Sequence, residues 1–217
     1  MLFRSAIAES AHDIHCTVGV HPHEAEGETL NGPEALLKEA THPKVVGFGE
    51  TGLDYYYNHS PREPQIADFR AHIAAARMAD LPLVVHTRDA DDDTIAILQE
   101  EYAKGAFRGV IHCFTGTPRL ARAALDLGFF ISVSGIATFK KSDELRATIK
   151  DVPLEHLLVE TDAPYLAPQP VRGKRNEPAF VVHTAAMLAE LKGVGPDTLA
   201  DTTTANFFRL FDKARPR

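Results

Sequence analysis

At 217 residues, with 44% hydrophobic and 24% charged side chains, the chain has the composition of one globular domain with ample core material. A net charge of −7 argues against broad, non-specific coating of duplex DNA, which needs a basic footprint, yet leaves room for a small phosphate-bearing substrate held at a metal. No apolar run approaches the roughly 20 residues of a membrane span, no charged-then-apolar leader opens the sequence, and two cysteines, Cys16 and Cys113, make no disulfide framework; a cytoplasmic location without membrane contact is expected.

In chain order, residues 1–10 read as the tail of a helix, and 15–20 as a short strand closed by His21-Pro22-His23. A helix is expected over 33–40 with Asn31 as its cap, then a strand over 45–49 that stops on Glu50 and turns through Gly52. A tyrosine-rich loop covers 53–60, followed by a long helix over 62–80 whose Ile66, Phe69, Ile73, Ala76 and Arg77 show the helical period. Strands are expected over 83–86, 109–112, 129–133 and 157–160. Helices are expected over 92–102, 118–127 (stopped by Gly128), 143–149, 179–191 and 196–211. Strict β-α alternation without a hairpin signal implies a parallel sheet with helical crossovers.

Four apolar strands each end on a metal-ligand residue type: Glu50, His86, His112 and Asp162. An unpaired carboxylate at the end of a buried strand costs several kcal/mol, so a cation is its natural partner. A doubly wound sheet gathers ligands at one switch point, whereas a (β/α)8 barrel turns every strand's C-terminal end to a common centre. Four similar strand ends favour the barrel, of which this chain supplies about six of the eight β-α units, and predict convergence on one metal site. The mixed carboxylate and imidazole set suits Mn²⁺, Zn²⁺, Fe²⁺ or Mg²⁺. Any one of these residues alone is more ordinarily a satisfied polar group; the joint pattern carries the argument.

Around this set, Arg88 is a candidate for a forked contact to substrate phosphate, with a salt bridge to Asp54 or Asp89 as the alternative. Arg172 and Lys174 lie in a basic loop fit for phosphate, or simply solvated. Tyr55, Tyr56 and Tyr57 are candidates to stack on a base, with at least one of them packing under the loop as the alternative. His21 is expected to line the pocket more readily than His23. Cys113 has no neighbouring base to make it a nucleophile and is expected to pack.

These segments resemble the TatD family of metal-dependent deoxyribonucleases, within the amidohydrolase-like barrels. The matching stretches are Gly19-Val20-His21-Pro22-His23, Gly49-Glu50-Thr51-Gly52-Leu53-Asp54-Tyr55-Tyr56, His86-Thr87-Arg88, His112-Cys113-Phe114-Thr115-Gly116, Ser134-Gly135, Glu160-Thr161-Asp162-Ala163-Pro164-Tyr165-Leu166, the loop from Arg172 to Pro178, and Asn206-Phe207. The resemblance implies a single hydrolase domain that uses one or two divalent ions (Mg, Mn or Zn) to trim DNA, single-stranded or from a 3′ end. It implies Glu50 as a metal-bridging glutamate, His86 and His112 as ligands of one metal, and Asp162 as a ligand of the other and a base for the attacking water. The family pattern opens with a strand bearing a His-x-His pair, and no such pair lies near the start of this sequence. The sequence is therefore expected to be N-terminally incomplete, and a chain that truly starts at Met1 is expected to show weak or no nuclease activity and poor solubility. The competing expectations are a metal-dependent amide or ester hydrolase, such as a D-aminoacyl-tRNA deacylase, and a non-catalytic truncated remnant.

Overall fold

Short apolar runs set between amphipathic stretches become parallel strands joined by helical crossovers. The computed structural model describes residues 2–28 and 30–214, and it forms two compact units, Met1–Ile111 with Phe208–Arg217, and His112–Phe207. Among the described residues six strands alternate with helices, and no helix is long and apolar enough to cross a membrane.

The first unit contains α1 (Leu2–Glu9), β1 (Cys16–Val18), α2 (Glu34–Glu39), β2 (Val45–Asp54), α3 (Arg62–Ala79), β3 (Leu83–Arg88), α4 (Asp91–Lys104) and β4 (Gly109–Ile111). Its four strands pair in parallel in chain order. Phe48, Leu53, Phe69, Ile73, Leu83 and Ile111 are fully buried, the pattern of a parallel sheet covered by helices. Two local expectations are corrected here. Pro33, not Asn31, stands at the start of α2, and no side chain caps that helix. The strand expected to stop on Glu50 runs on to Asp54, with Gly52 opposite His86 and Asp54 opposite Arg88.

The physical reason lies in the glycines. Gly49 has φ +138°, and a Cβ there would come 2.5 Å from the Val84 carbonyl oxygen. Gly52 has φ +132°, and a Cβ there would run into the His86 carbonyl oxygen. Glycine thus keeps β2 against β3 through a stretch that reads as a turn. The pairing shifts register between Phe48 and Thr51, and Glu50, inside that irregularity, is the one residue of β2 that is not fully buried. Such an irregularity re-aims a side chain out of the ladder.

The second unit contains α5 (Pro118–Asp126), β5 (Phe130–Val133), α6 (Asp143–Asp151), β6 (Leu157–Val159), α7 (Val181–Lys192) and α8 (Pro196–Leu210), the last turn of α8 belonging to the first unit. β5 and β6 pair in parallel over a core of Phe114, Leu120, Phe129, Ile131, Leu157 and Leu188. α5 shows why its ends fall where they do. Thr117 accepts the Leu120 N–H at its start. At its end Gly128, at φ +77°, lets the N–H of Phe129 reach the Ala124 carbonyl and its own N–H reach that of Leu125.

Candidate active site

In the first unit, β2 and β3 bring Glu50, Asp54 and His86 together with His21 and His23 from the segment after β1. Asp54 is fully buried at the end of β2. Its backbone is clamped by Gln65 of α3, whose Oε1 accepts the Asp54 N–H at 2.7 Å and whose Nε2 donates to the Asp54 carbonyl at 3.2 Å. Burial alone pushes the Asp54 carboxyl up, but the Tyr57 N–H and the His23 and His86 imidazoles outweigh it and hold the pKa down at about 2. An ionised carboxylate only accepts, so His23 Nε2–H and His86 Nε2–H both donate to Asp54 Oδ2, at 2.8 and 3.0 Å. This fixes the tautomer of His86 and turns its Nδ1 to Glu50 Oε2, 4.0 Å away. His21 Nε2 lies 3.8 Å from the same oxygen, and ligand atoms of His21, His23 and His86 all fall within 4.8 Å of one another.

The second unit repeats the arrangement with different residues. His112, immediately after β4, donates Nδ1–H to Glu160 Oε2 at 2.7 Å, and its Nε2 faces Asp162 Oδ1 at 3.4 Å. Asp162 sits at φ +58°, a left-handed backbone uncommon outside glycine. Asn176, almost fully buried, holds that conformation: its Nδ2 donates to the carbonyls of Thr161 and Tyr165, at 2.7 and 2.6 Å.

Each unit therefore presents one imidazole braced at one nitrogen by a carboxylate and facing a second carboxylate with the other. That is the outer-carboxylate arrangement of metal-bound histidine. Two ligand atoms each about 2.1 Å from one ion lie roughly 3–4 Å apart, and the facing distances are 4.0 Å for His86 with Glu50 and 3.4 Å for His112 with Asp162. Within each unit the facing pair, Glu50 with His86 and His112 with Asp162, thus fits a divalent ion in chemistry and in spacing. His21 fits less well as a ligand, because its Nδ1 accepts the His23 N–H at 3.2 Å and Nε2 ligation needs that nitrogen protonated.

The remaining predicted residues divide. Tyr55 is the tyrosine that packs: Arg62 covers its ring at 3.9 Å, its hydroxyl donates to Asp93 at 2.7 Å, and burial with that carboxylate raises its pKa well above the usual phenol range. Tyr56 and Tyr57, 57% and 47% exposed, are the accessible ones, whereas Tyr55 is half-buried. Arg88 lies over the rings of Tyr56 and Tyr57, at 4.1 and 4.8 Å, in place of an ion pair with Asp54 or Asp89. In the second unit Arg172 stacks over Phe139 at 4.1 Å, and Lys174 is exposed in the same loop. Cys113, half-buried at φ +44°, has its sulfur 3.1 Å from Ser134 Oγ.

Sequence reasoning passed over Asp54 as a structural centre, Glu160 as a brace, and the supports Gln65, His72 and Asn176. Fully buried His72 accepts the Val20 N–H on Nε2 at 3.0 Å and donates Nδ1–H to the Asp68 carbonyl at 2.7 Å, so it pins the segment that carries His21. One signal was available. Gln65, Asp68 and His72 fall on the same helical face as Phe69, Ile73 and Ala76, which places polar groups in the core, where each needs a partner.

Comparison with known proteins gives a consistent result. The profile of the family described as TatD related DNase matches residues 4–212. The uncharacterized metal-dependent hydrolase YcfH of Escherichia coli (strain K12) is 50% identical over 89% of this chain and 72% of its own length. The 3′-5′ ssDNA/RNA exonuclease TatD of Klebsiella pneumoniae (strain 342) is 39% identical over 90% of this chain and 76% of its own. Among solved structures, the TatD homolog YJJV of Escherichia coli K12 superposes with a TM-score of 0.84 at 27% identity, over 98% of this chain and 82% of that one. The fold class is accordingly α/β of the (β/α)8 TIM-barrel type, six of whose β-α units are formed by the described residues.

Proposed function

This chain belongs to the TatD-related DNase family of metal-dependent hydrolases, and on that premise we propose that it hydrolyses phosphodiester bonds of single-stranded DNA from the 3′ end. It does so as one hydrolase domain in the cytoplasm, with one or two Mg²⁺, Mn²⁺ or Zn²⁺ ions. The observation that carries the reading is the pair of braced imidazoles, His86 between Asp54 and Glu50, and His112 between Glu160 and Asp162. The ligand role falls to Glu50 and His86 on the first unit and to His112 and Asp162 on the second. A divalent ion bound there supplies Lewis-acid polarisation of the phosphoryl oxygen and neutralises charge as it develops.

The chain's own groups do the rest. Asp162, held by the Asn176-braced loop, takes a proton from the water that attacks phosphorus. The P–O3′ bond breaks, the leaving 3′ oxygen takes a proton from solvent, and a 5′-mononucleotide is released. Glu50 would hold the ion beside His86. Arg88, Arg172 and Lys174 add positive charge for the phosphate backbone, and His21 lines the pocket. The test is a metal-dependence assay on 5′-labelled single-stranded DNA, after chelation and re-addition of each ion. Stepwise shortening from the 3′ end, abolished by chelator, is the expected result. A chain that releases an acyl group from an aminoacyl ester under the same conditions, and leaves DNA intact, overturns the proposal.

A further inference from the structure

Beside the histidine cluster of the first unit runs a strip of flat groups of which the chemistry above uses only the charge of Arg88. The Arg88 guanidinium lies 4.1 Å over Tyr56 and 4.8 Å over Tyr57. Tyr57 stacks on His59 with centroids 5.6 Å apart and planes within 5°. His59 meets His23 edge-on at 4.7 Å, and His23 shares the Asp54 carboxylate with His86. The strip is continuous in contact from an exposed tyrosine to a histidine hydrogen-bonded beside the proposed ligand.

Its exposure is the unusual part. Large aromatic rings are ordinarily buried for the area they remove from water, yet Tyr56 and Tyr57 stay about half exposed and His59 is exposed as well. A cation set over two rings offers a π-face and a positive charge together. That combination suits a flat, electron-rich ring attached to a polyanion. In a duplex both faces of a base are covered by its neighbours, whereas an unstacked base offers them.

We propose that Tyr56, Tyr57 and His59, with Arg88, form a nucleobase-stacking subsite that seats a base of the substrate strand and so selects single strands. This rests on the phosphodiesterase reading above and adds the part of the substrate that is recognised. Of the three tyrosines that follow Asp54 it keeps Tyr56 and Tyr57, the two that are exposed.

The test compares two single-stranded oligonucleotides, one carrying normal bases and one abasic at its three 3′-terminal nucleotides. Rates are measured for the full wild-type chain, for Tyr56→Ala/Tyr57→Ala, and for Tyr56→Phe/Tyr57→Phe. The wild type is expected to prefer the base-bearing strand by roughly ten-fold, the size of one stacked base. The double alanine variant loses that preference, through KM, and the double phenylalanine variant keeps it. A wild type that cleaves neither oligonucleotide overturns the phosphodiesterase reading and the subsite with it. A wild type that cleaves both equally, or an alanine variant that slows both by the same factor, overturns the subsite and leaves the reading standing.

Discussion

The two units solve one problem, holding an imidazole still between two carboxylates, with different amounts of structure. In the first, the bracing carboxylate Asp54 is at the end of a strand, fully buried, and takes both His23 and His86 on one oxygen. Its other oxygen takes the N–H groups of Tyr56 and Tyr57, at 3.1 and 2.9 Å. In the second, Glu160 follows β6, holds only His112, and its Oε1 is buried without a hydrogen-bond partner among the described residues. The facing carboxylate differs too: Glu50 is set by an irregularity within a strand, Asp162 by a loop in left-handed backbone. The contrast teaches that the first unit sets its braced imidazole against a carboxylate of the core, whereas the second sets its own against a loop that the Asn176 side-chain amide helps to hold.

The largest effect that breaks this contrast is removal of the two braces in turn. Asp54→Ala leaves two imidazoles and two backbone N–H groups, all part-buried, without their acceptor and is expected to cost about 3–5 kcal/mol of stability. Glu160→Ala removes one hydrogen bond and one orphaned oxygen, and is expected to cost about 1 kcal/mol. Both lower divalent-metal affinity, by roughly 10- to 100-fold, because each frees the ligand imidazole to rotate or change tautomer. Denaturant unfolding and metal titration read the two quantities separately; equal stability costs would abolish the distinction between core and loop.

Next in size is a pH effect confined to the first unit. Burial holds the His72 pKa down at about 4, against an ordinary 6.5, and outweighs the bond to the Asp68 carbonyl, which raises it. The unfolded chain binds a proton between those values that the folded chain refuses. Stability is therefore complete above about pH 6.5 and declines as pH falls toward 4, by roughly 3 kcal/mol in all. Unfolding free energies measured across that window, for the wild type and for His72→Gln, give the check: the glutamine variant is expected to show a flatter limb. Parallel curves would assign the acid sensitivity to other groups.

How much of this was legible beforehand depends on the signal. The apolar runs that end on Glu50, His86, His112 and Asp162 were plain, because a strand buried on both faces reads as continuous hydrophobicity. The end of β2 was not. Gly49 and Gly52 read as turn residues, whereas their freedom at positive φ keeps β2 in register with β3 and delivers Asp54 to the site. The order among three adjacent tyrosines was closed to pattern reasoning, since after Asp54 the chain turns and no period decides which ring meets Arg62. His72 and Gln65 were hidden in a helix whose buried face mixes alanine with polar groups, so the amphipathic period pointed at Phe69 and Ile73 and past them. Asn31 carried a capping residue type ahead of α2, but the helix starts at Glu34 behind Pro33 with no side-chain cap.

The smallest expected stability effect sharpens the comparison most, because it separates holding a loop from holding a fold. Asn176 and Gln65 are counterparts, each a buried amide that clamps the backbone around a site carboxylate. Gln65→Ala strands the Asp54 N–H and the Ser60 carbonyl inside the first unit, where water does not replace the lost bonds. Asn176→Ala strands the Thr161 and Tyr165 carbonyls beside the exposed residues Ala163, Pro164 and Tyr165, where water does. Its stability cost is accordingly expected to stay near 1 kcal/mol. The cost to function runs the other way. Asp162 holds an uncommon backbone conformation, and an error of about 1 Å in the position of a base lowers turnover by roughly 100-fold. Asn176→Ala is thus expected to melt close to the wild type while losing ten- to 100-fold in kcat. A variant that loses stability and turnover in the proportion seen for Gln65→Ala would show that the loop is part of the core after all.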